Sequence, residues 1–303
     1  MFKRRSLIFV LLAVRLSAQT AAAQELPYVQ HENVVYGEAD GVGLLMDIFT
    51  PQGAANGLGV VDVISGAWHS DRGKIRDHER ARTFHTLCER GYTVFAVRPG
   101  SITKFNVSEM LANLNEGIRW VKKHSGDYRI DPERLGLMGA SAGGHLACLA
   151  AVTASDGNSG SENKSADLST RVKAVAVFFP PTDFLDFGGK ALDSQDELMG
   201  RLLGSGAKPQ AADRETGADS SQLLKQISPA HLVTSSTPPF LLIHGDADPV
   251  VPLQQSERML AALKQAGVPA ELIVKSGGGH PWFTIHEEVK VVADWFDKQL
   301  GSK

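Results

Sequence analysis

The sequence predicts an α/β fold with a mostly parallel central sheet, helices on both faces of that sheet and a small cap insertion. From about residue 59 onward, short apolar runs alternate with stretches of helical character, which is the pattern of strands joined by helical crossovers. The apolar runs contain few polar residues, as is typical of strands buried on both faces. The chain has 303 residues, 43% of them hydrophobic and 21% charged, so it is long enough to bury a large core.

Each predicted strand is a short apolar run, and each predicted helix is a longer stretch between two such runs. We expect strands at residues 44–49, 59–64, 93–97, 134–138, 172–179, 240–244 and 270–275. We expect helices at residues 77–90, 108–124, 142–153 and 253–266, and a last helix within 281–300. Ser108 is the predicted N-cap of the second helix.

Residues 184–236 are long for a connection between two elements, and they contain two short helical stretches. Long insertions with some structure of their own are often lids or substrate walls. We therefore expect residues 24–303 to form a single domain with a cap or lid insertion at about 184–236. A surface excursion without a role at the site is the alternative.

The first 23 residues have the pattern of a secretory signal peptide. Lys3, Arg4 and Arg5 precede an apolar run at 7–14, and three alanines at 21–23 form a small-residue cleavage site. This apolar run is too short to span a bilayer, which takes about 20 residues. The sequence therefore predicts a secreted or periplasmic protein with no stable membrane insertion after cleavage.

The charge of the chain argues against nucleic acid as a partner. Its formal net charge is −3, and the predicted signal segment carries four basic residues and no acidic one. The remainder is therefore more acidic than the whole chain, and it has no basic surface to bind phosphates. The sequence leaves the oligomeric state open.

A serine enclosed by small residues is the strongest candidate nucleophile. Gly139-Ala-Ser141-Ala-Gly143 lies between a predicted strand and a predicted helix and fits G-x-S-x-G. On such a sharp turn a serine takes strained backbone angles, and the two glycines remove side chains that would collide. The hydroxyl is then exposed above the free N–H groups of the next helix. A close contact between helix and strand is the alternative reading of this small-residue run.

A serine hydroxyl needs a base to take its proton and an acid to orient that base. His280 is the candidate base, because it follows a strand and three glycines and precedes the last helix. The acid is expected in the loop after the strand at 240–244, where Asp246 and Asp248 compete. Asp246 directly follows the strand and Gly245, whereas Asp248 lies further out, where it could reach His280. We favour Asp248.

With these motifs the chain resembles the α/β-hydrolases of the bacterial esterase/lipase type, namely the BD-FAE and hormone-sensitive-lipase relatives. The resemblance lies in Gly139-Ala-Ser-Ala-Gly-Gly-His145 and in His244-Gly-Asp-Ala-Asp-Pro-Val-Val-Pro252, and it runs from about residue 44 to 299. It implies an α/β-hydrolase fold and a triad in the order Ser141, Asp248, His280. It also implies a serine ester hydrolase that needs no cofactor and acts on a small-molecule ester.

The loop after the strand at 59–64 departs from this family. The family usually has H-G-G-G-W or H-G-G-A-W there, and this chain has Ile64-Ser-Gly-Ala-Trp68. Donors to an oxyanion are backbone N–H groups, so the path of the backbone matters more than the side chains. We expect Ala67 and Ala142 to donate, with Gly66 or Trp68 as a third donor. The effect of Ile64 and Ser65 on the loop is not predicted.

Three aromatic side chains are candidate walls of a substrate pocket, namely Trp68, Trp282 and Phe179. Each follows or flanks a site motif, although an aromatic side chain in such a place is as often part of the core. Arg98 ends a strand, and a structural ion pair is favoured for it over a hydrogen bond to an acidic or sugar substrate. No metal site is predicted, because His69, His78 and His85 lack carboxylate or cysteine partners at ligand spacing. His78 and His85 are expected on one solvated helix face.

Two other readings of the same residues remain. A serine peptidase of the same fold would use the same triad, and a hydrolase fold kept as a binding module would have lost a triad member. The substrate predicted for the esterase is a small acyl ester, including acylated sugars and aromatic esters. In the implied fold, Cys88 and Cys148 lie on helices at opposite faces of the sheet, too far apart for a disulfide. Both are predicted to be free, buried thiols.

Overall fold

The structure of the protein is a computed structural model, and it describes residues 25–157, 168–192, 197–204 and 217–301. The predicted signal peptide lies outside the described residues. Among the described helices, none has both the length and the apolar character needed to cross a bilayer.

Within the described residues, eight strands form one sheet in the order β1-β2-β4-β3-β5-β6-β7-β8. β1 pairs antiparallel with β2 and β2 antiparallel with β4, and all other neighbours are parallel. The strands are β1 (Tyr28–Ala39), β2 (Val42–Pro51), β3 (Gly59–Val63), β4 (Thr93–Arg98), β5 (Leu135–Ala140), β6 (Ala174–Phe178), β7 (Phe240–Gly245) and β8 (Ala270–Lys275). The predicted mostly parallel α/β fold is confirmed.

Helices cover both faces of this sheet. They are α1 (Arg72–Arg80), α2 (Thr83–Glu89), α3 (Val107–Lys123), α4 (Ala142–Val152), α5 (Glu197–Leu203), α6 (Gly217–Gln226), α7 (Gln254–Gln265) and α8 (Ile285–Gly301). Buried side chains of α3, α4 and α7 form one core with one face of the sheet. Those of α1, α2 and α8 form a second core with the other face.

The two cysteines lie in different cores, Cys148 in that of α4 and Cys88 in that of α2. Both are free and buried, as predicted. Burial raises the pKa of the Cys88 thiol to about 12, and it also raises the pKa of Cys148. Neither thiol is therefore ionised near neutral pH.

Two helix predictions are corrected by the structure. The helix expected at 77–90 is two helices, which separate at Arg82, where the backbone takes a left-handed φ of 59°. The N-cap of α3 is Asn106 instead of Ser108, because Asn106 and Glu109 form a reciprocal capping box. Strand β1 was not predicted, and only Tyr36 of its twelve residues is buried.

The histidines of α1 and α2 also differ from expectation. His78 and His85 lie on separate helices and do not share a solvated face. The His78 side chain is only 12% exposed and contacts Asp62 of β3. The described residues contain no group of three or more side chains that could hold a metal ion.

The described parts of the predicted insertion pack on the α3 and α4 side of the molecule. Met199 and Leu202 of α5, together with Leu224 and Ile227, are buried in that core. Part of the insertion lies outside the described residues, and its role as a cap stays a prediction.

Candidate active site

Ser141 lies on the turn between β5 and α4, with φ 54° and ψ −122°. The two glycines around it are needed for close backbone contacts. A Cβ at Gly139 would lie 2.5 Å from the Gly143 carbonyl oxygen, and a Cβ at Gly143 would lie 2.3 Å from the carbonyl oxygen of Val63. The Ser141 N–H donates to the Phe178 carbonyl at 2.9 Å, which fixes the turn to β6. This is the geometry that the G-x-S-x-G pattern predicted.

The structure brings Ser141, His280 and Asp248 together in one hydrogen-bonded chain. Oγ of Ser141 lies 2.9 Å from Nε2 of His280, and Nδ1 of His280 lies 2.7 Å from Oδ2 of Asp248. The Asp248 side chain is fully buried and that of His280 is 13% exposed. An imidazole held in this way, with Nδ1–H donated to the carboxylate, leaves Nε2 free to accept the serine proton.

The carboxylate of Asp248 is itself held in place by its own loop. Its Oδ1 accepts hydrogen bonds from the N–H groups of Val250 and Val251, at 2.8 and 2.9 Å. The same loop is anchored from below by buried His244, whose Nε2 donates to the Val251 carbonyl at 2.8 Å. Burial lowers the pKa of His244, so this histidine serves as a neutral support.

The competing aspartate, Asp246, has a different task. Its Oδ1 accepts the N–H of Gly277 at 2.6 Å, and the N–H of Ala247 donates to the Gly278 carbonyl at 3.0 Å. Gly245 allows this close approach, because a Cβ there would lie 2.1 Å from the Gly278 carbonyl oxygen. Asp246 therefore joins the loop of the acid to the loop of the base and does not contact the imidazole.

The loop at residues 64–71 presents backbone N–H groups near the turn at Ser141. Ala67 and Trp68 take left-handed φ values of 48° and 57°, and the N–H of Gly143 donates to the Ser65 carbonyl at 3.0 Å. The N–H of Gly66 is bonded to the His69 carbonyl at 2.9 Å, so Gly66 is not a free donor. The N–H groups of Ala67 and Ala142 have no hydrogen-bond acceptor within the described residues.

The three aromatic side chains predicted as pocket walls are all mostly buried, with Trp68 and Trp282 8% and Phe179 3% exposed. The ring of Phe179 lies 4.3 Å from that of His280, centroid to centroid. The indole N–H of Trp282 donates to Glu288 at 2.8 Å. Each ring thus supports the site from within the core, and contact with substrate stays a prediction.

Three supporting residues were missed in the sequence, namely His145, His244 and Glu288. Nδ1 of His145 accepts the indole N–H of Trp68 at 3.1 Å, and Nε2 donates to the Ile227 carbonyl at 2.7 Å. Glu288 binds Lys275 as well as Trp282, each at 2.8 Å. A histidine within the apolar run of α4 was the one local signal, because a buried polar group requires partners. Arg98 pairs with Asp47 at 3.4 Å, which is the structural role expected for it.

The sheet order, with a serine on the turn after β5 and its acid and histidine after β7 and β8, defines an α/β-hydrolase. The sequence profile of the BD-FAE family matches residues 46–263, which is more than half of the chain. The chain therefore belongs to the BD-FAE family.

Related proteins agree with this assignment. The chain is 27% identical over 277 residues to esterase LipQ of Mycobacterium tuberculosis, covering 90% of this chain and 62% of that protein. It is 26% identical to a truncated carbohydrate esterase from gut microbiota, with a TM-score of 0.76 over 92% of this chain and 99% of that one. An esterase of Thermogutta terrifontis, 24% identical with a TM-score of 0.67 over 89% of this chain and 92% of that one, shares the fold. The chain spans about half the length of the curated relatives that it matches, between 43% and 62% for three of them.

Proposed function

We propose that this protein is a serine carboxylic-ester hydrolase that works through an acyl-enzyme intermediate. The observation that carries the proposal is the continuous hydrogen-bonded chain from Oγ of Ser141 through His280 to Asp248, at 2.9 and 2.7 Å. A hydroxyl that donates to a neutral, oriented imidazole is an activated nucleophile.

In the first half of the reaction, Oγ of Ser141 attacks the ester carbonyl carbon and its proton passes to Nε2 of His280. The buried carboxylate of Asp248 stabilises the imidazolium that forms and holds its tautomer. The carbonyl oxygen becomes an oxyanion, which the N–H groups of Ala67 and Ala142 receive. One such donor contributes about 10²–10³ in turnover. The imidazolium then returns the proton to the leaving alcohol, and the acyl group stays on Ser141.

In the second half, water replaces the alcohol. His280 takes a proton from the water, and the hydroxide attacks the acyl carbon. When the second oxyanion collapses, the bond to Oγ breaks, the imidazolium returns its proton to Oγ of Ser141, and the acid is released. The protein supplies every group that this scheme uses, so the proposal involves no cofactor.

The proposed substrates are small acyl esters, including acylated sugars and aromatic esters. The relatives named as an esterase and as a carbohydrate esterase support this class. We further propose that residues 1–23 are a cleaved signal peptide and that the mature enzyme acts outside the cytoplasm.

The test is a panel of acetyl, butyryl, feruloyl and longer-chain esters and peptide amides, assayed with the wild-type protein and with Ser141→Ala. We expect ester turnover by the wild type and a loss of about 10⁴-fold or more in the variant, with an unchanged melting temperature. A fluorophosphonate probe should label only the wild type. Turnover of peptide amides alone would favour the peptidase, and a wild-type protein that neither labels nor turns over an ester would favour a binding module.

A further inference from the structure

Helix α1 is attached to the sheet mainly by charge. Only Ile75 of its nine residues is buried, so apolar packing contributes little to its docking. Near its start, Arg72 binds Asp47 of β2 at 2.9 Å. Near its end, Nδ1 of His78 lies 2.6 Å from Oδ2 of Asp62 on β3. Both aspartate side chains are fully buried, and both lie on the face of the sheet that carries the second core.

The two anchors differ in how many groups support the buried carboxylate. Asp47 also accepts hydrogen bonds from Gln30, the backbone N–H of Asn33 and Arg98. Asp62 has His78 alone, and its second oxygen is buried with no hydrogen-bond partner among the described residues. A buried carboxylate without a counter-charge is strongly unfavourable. The environment of Asp62 therefore favours the protonated form of His78.

The pKa of His78 follows the same logic. Burial alone would lower it, but the charge of Asp62, the hydrogen bond to Asp62 and the charge of Asp77 together raise the pKa above the ordinary histidine value. The described groups that face the imidazole are Asp62 from β3, Asp77 from α1 itself and the uncharged ring of Phe84 from α2, 6.4 Å away between centroids. Asp77 is also paired with Arg80 at 2.8 Å and with Lys74 at 3.7 Å, both on the same helix, so Asp62 is the carboxylate that pairs directly with His78.

Helix α1 begins directly after the loop that carries Ala67. The left-handed backbone at Ala67 and Trp68 is strained and persists only because its surroundings hold it. One of these surroundings is α1, since a Cβ at Gly66 would lie 2.8 Å from the side chain of Lys74. A shift of α1 would therefore displace the loop in two ways, through the covalent connection at residue 71 and through the contact between Lys74 and Gly66.

We propose that Asp62 and His78 are positioning residues that fix α1, and through it the loop of Ala67, in the arrangement that receives the oxyanion. This inference rests on the proposed esterase function. The ion pair is complete below a pH of about 6.5, the ordinary histidine value, and it is lost as the pH rises through the higher value of folded His78. Above that range the neutral imidazole still donates to Asp62 but carries no charge, so α1 is held less firmly. The turnover number should then fall on the alkaline side with little change in KM.

The experiment compares kcat and KM between pH 6 and 10 for the wild type, His78→Gln, Asp62→Asn and Arg72→Gln. We expect His78→Gln and Asp62→Asn to lower kcat at pH 7 by roughly tenfold, part of the effect of one oxyanion donor, and to remove the alkaline decline. Arg72→Gln is the matched control on the same helix. A guanidinium does not titrate in this range, so this variant should lower kcat while keeping the decline.

A second measurement does not depend on turnover. In Ser141→Ala, the His78 imidazole followed by NMR should titrate above the ordinary histidine value and, in the double variant with Asp62→Asn, lower than in Ser141→Ala alone. Titration of His78 at or below the ordinary value overturns the inference, and so does an alkaline decline in His78→Gln equal to that of the wild type. If the esterase proposal itself is wrong, the wild type and Ser141→Ala will have equal activity towards esters. This result distinguishes a failure of the esterase proposal from a failure of the proposed role of Asp62 and His78.

Discussion

The indole N–H of Trp68 donates to Nδ1 of His145 at 3.1 Å, and the opposite nitrogen of that imidazole donates to the Ile227 carbonyl at 2.7 Å. One buried side chain on α4 thus joins the loop of Ala67 to the end of the insertion. Both ring nitrogens are used by the neutral imidazole, one as acceptor and one as donor. A second proton on Nδ1 would face the Trp68 N–H, so this arrangement needs an uncharged ring.

The neutral ring of His145 should make the fold sensitive to acid. Burial lowers the pKa of His145 to about 4, whereas the unfolded chain takes up this proton below about 6.5. The stabilisation is therefore complete above about 6.5 and is lost as the pH falls toward 4, at a cost of the order of 3 kcal/mol. Urea unfolding of His145→Gln, which keeps an acceptor and a donor but does not titrate, should lose less stability between pH 7 and pH 4.5 than the wild type. Equal losses would show that His145 is not the group responsible.

The two aspartates of the acid loop should differ sharply in their effect on turnover. Asp248→Asn keeps the size of the side chain but removes the charge that orients His280, and kcat should fall by about 10⁴-fold. Asp246→Asn keeps an amide oxygen that can accept the Gly277 N–H and removes only the charge, so its effect should stay below about tenfold. Steady-state kinetics with one acetyl ester decides between them. A larger loss of kcat in the Asp246 variant would show that Asp246, and not Asp248, is the acid of the triad.

The contact between the acid loop and the base loop should tolerate no added methyl group at Gly245. A Cβ there would lie 2.1 Å from a backbone oxygen, whereas one at Gly279 would meet nothing nearer than 3.6 Å. Gly245→Ala should separate the two loops and lower both kcat, by about 10²-fold, and the melting temperature. Gly279→Ala, in the same region, should leave both nearly unchanged. Comparable behaviour of the two variants would argue against the close approach.

The buried carboxylate of Glu288 should matter for the placement of His280. This carboxylate accepts hydrogen bonds from the indole N–H of Trp282, two residues after His280, and from the ammonium of Lys275 at the end of β8. Glu288→Gln should cost about 1.5–3 kcal/mol of unfolding free energy and reduce kcat several-fold. Glu287→Gln is the control, since Glu287 is 58% exposed and lies 3.5 Å from the same lysine. Its stability should stay within about 0.5 kcal/mol of the wild type, and thermal unfolding with kinetics tests both variants.

The strands and the site motifs were predictable because their signals are local. The parallel strands are continuous apolar runs, and the positions of Ser141 and His280 follow from short patterns at the ends of such runs. The local pattern only favoured Asp248 over Asp246, and the family resemblance placed the acid at Asp248. Strand β1 gave no such signal, because as an edge strand it buries only Tyr36. The division between α1 and α2 falls at Arg82 without a glycine or proline to mark it. A left-handed arginine has no signature in sequence.

The partners of the buried histidines were not predictable for a different reason. His78 contacts Asp62, which lies 16 residues earlier on a strand, and His145 contacts the Ile227 carbonyl, which lies 82 residues later. These contacts depend on how α1 and the insertion pack on the sheet, and no local pattern encodes that packing. The same applies to the N–H of Gly66, whose use by His69 is a property of the folded loop.

Because the two thiols lie in different cores, their reactivity reports which helical layer separates from the sheet during unfolding. Cys88 and Cys148 are enclosed by different helical layers, so a thiol reagent reaches each sulfur only when its own layer comes away. Mass spectrometry of peptides labelled during gradual denaturation would distinguish which side of the sheet opens first. No cysteine has to be introduced for this experiment, because both native thiols are free.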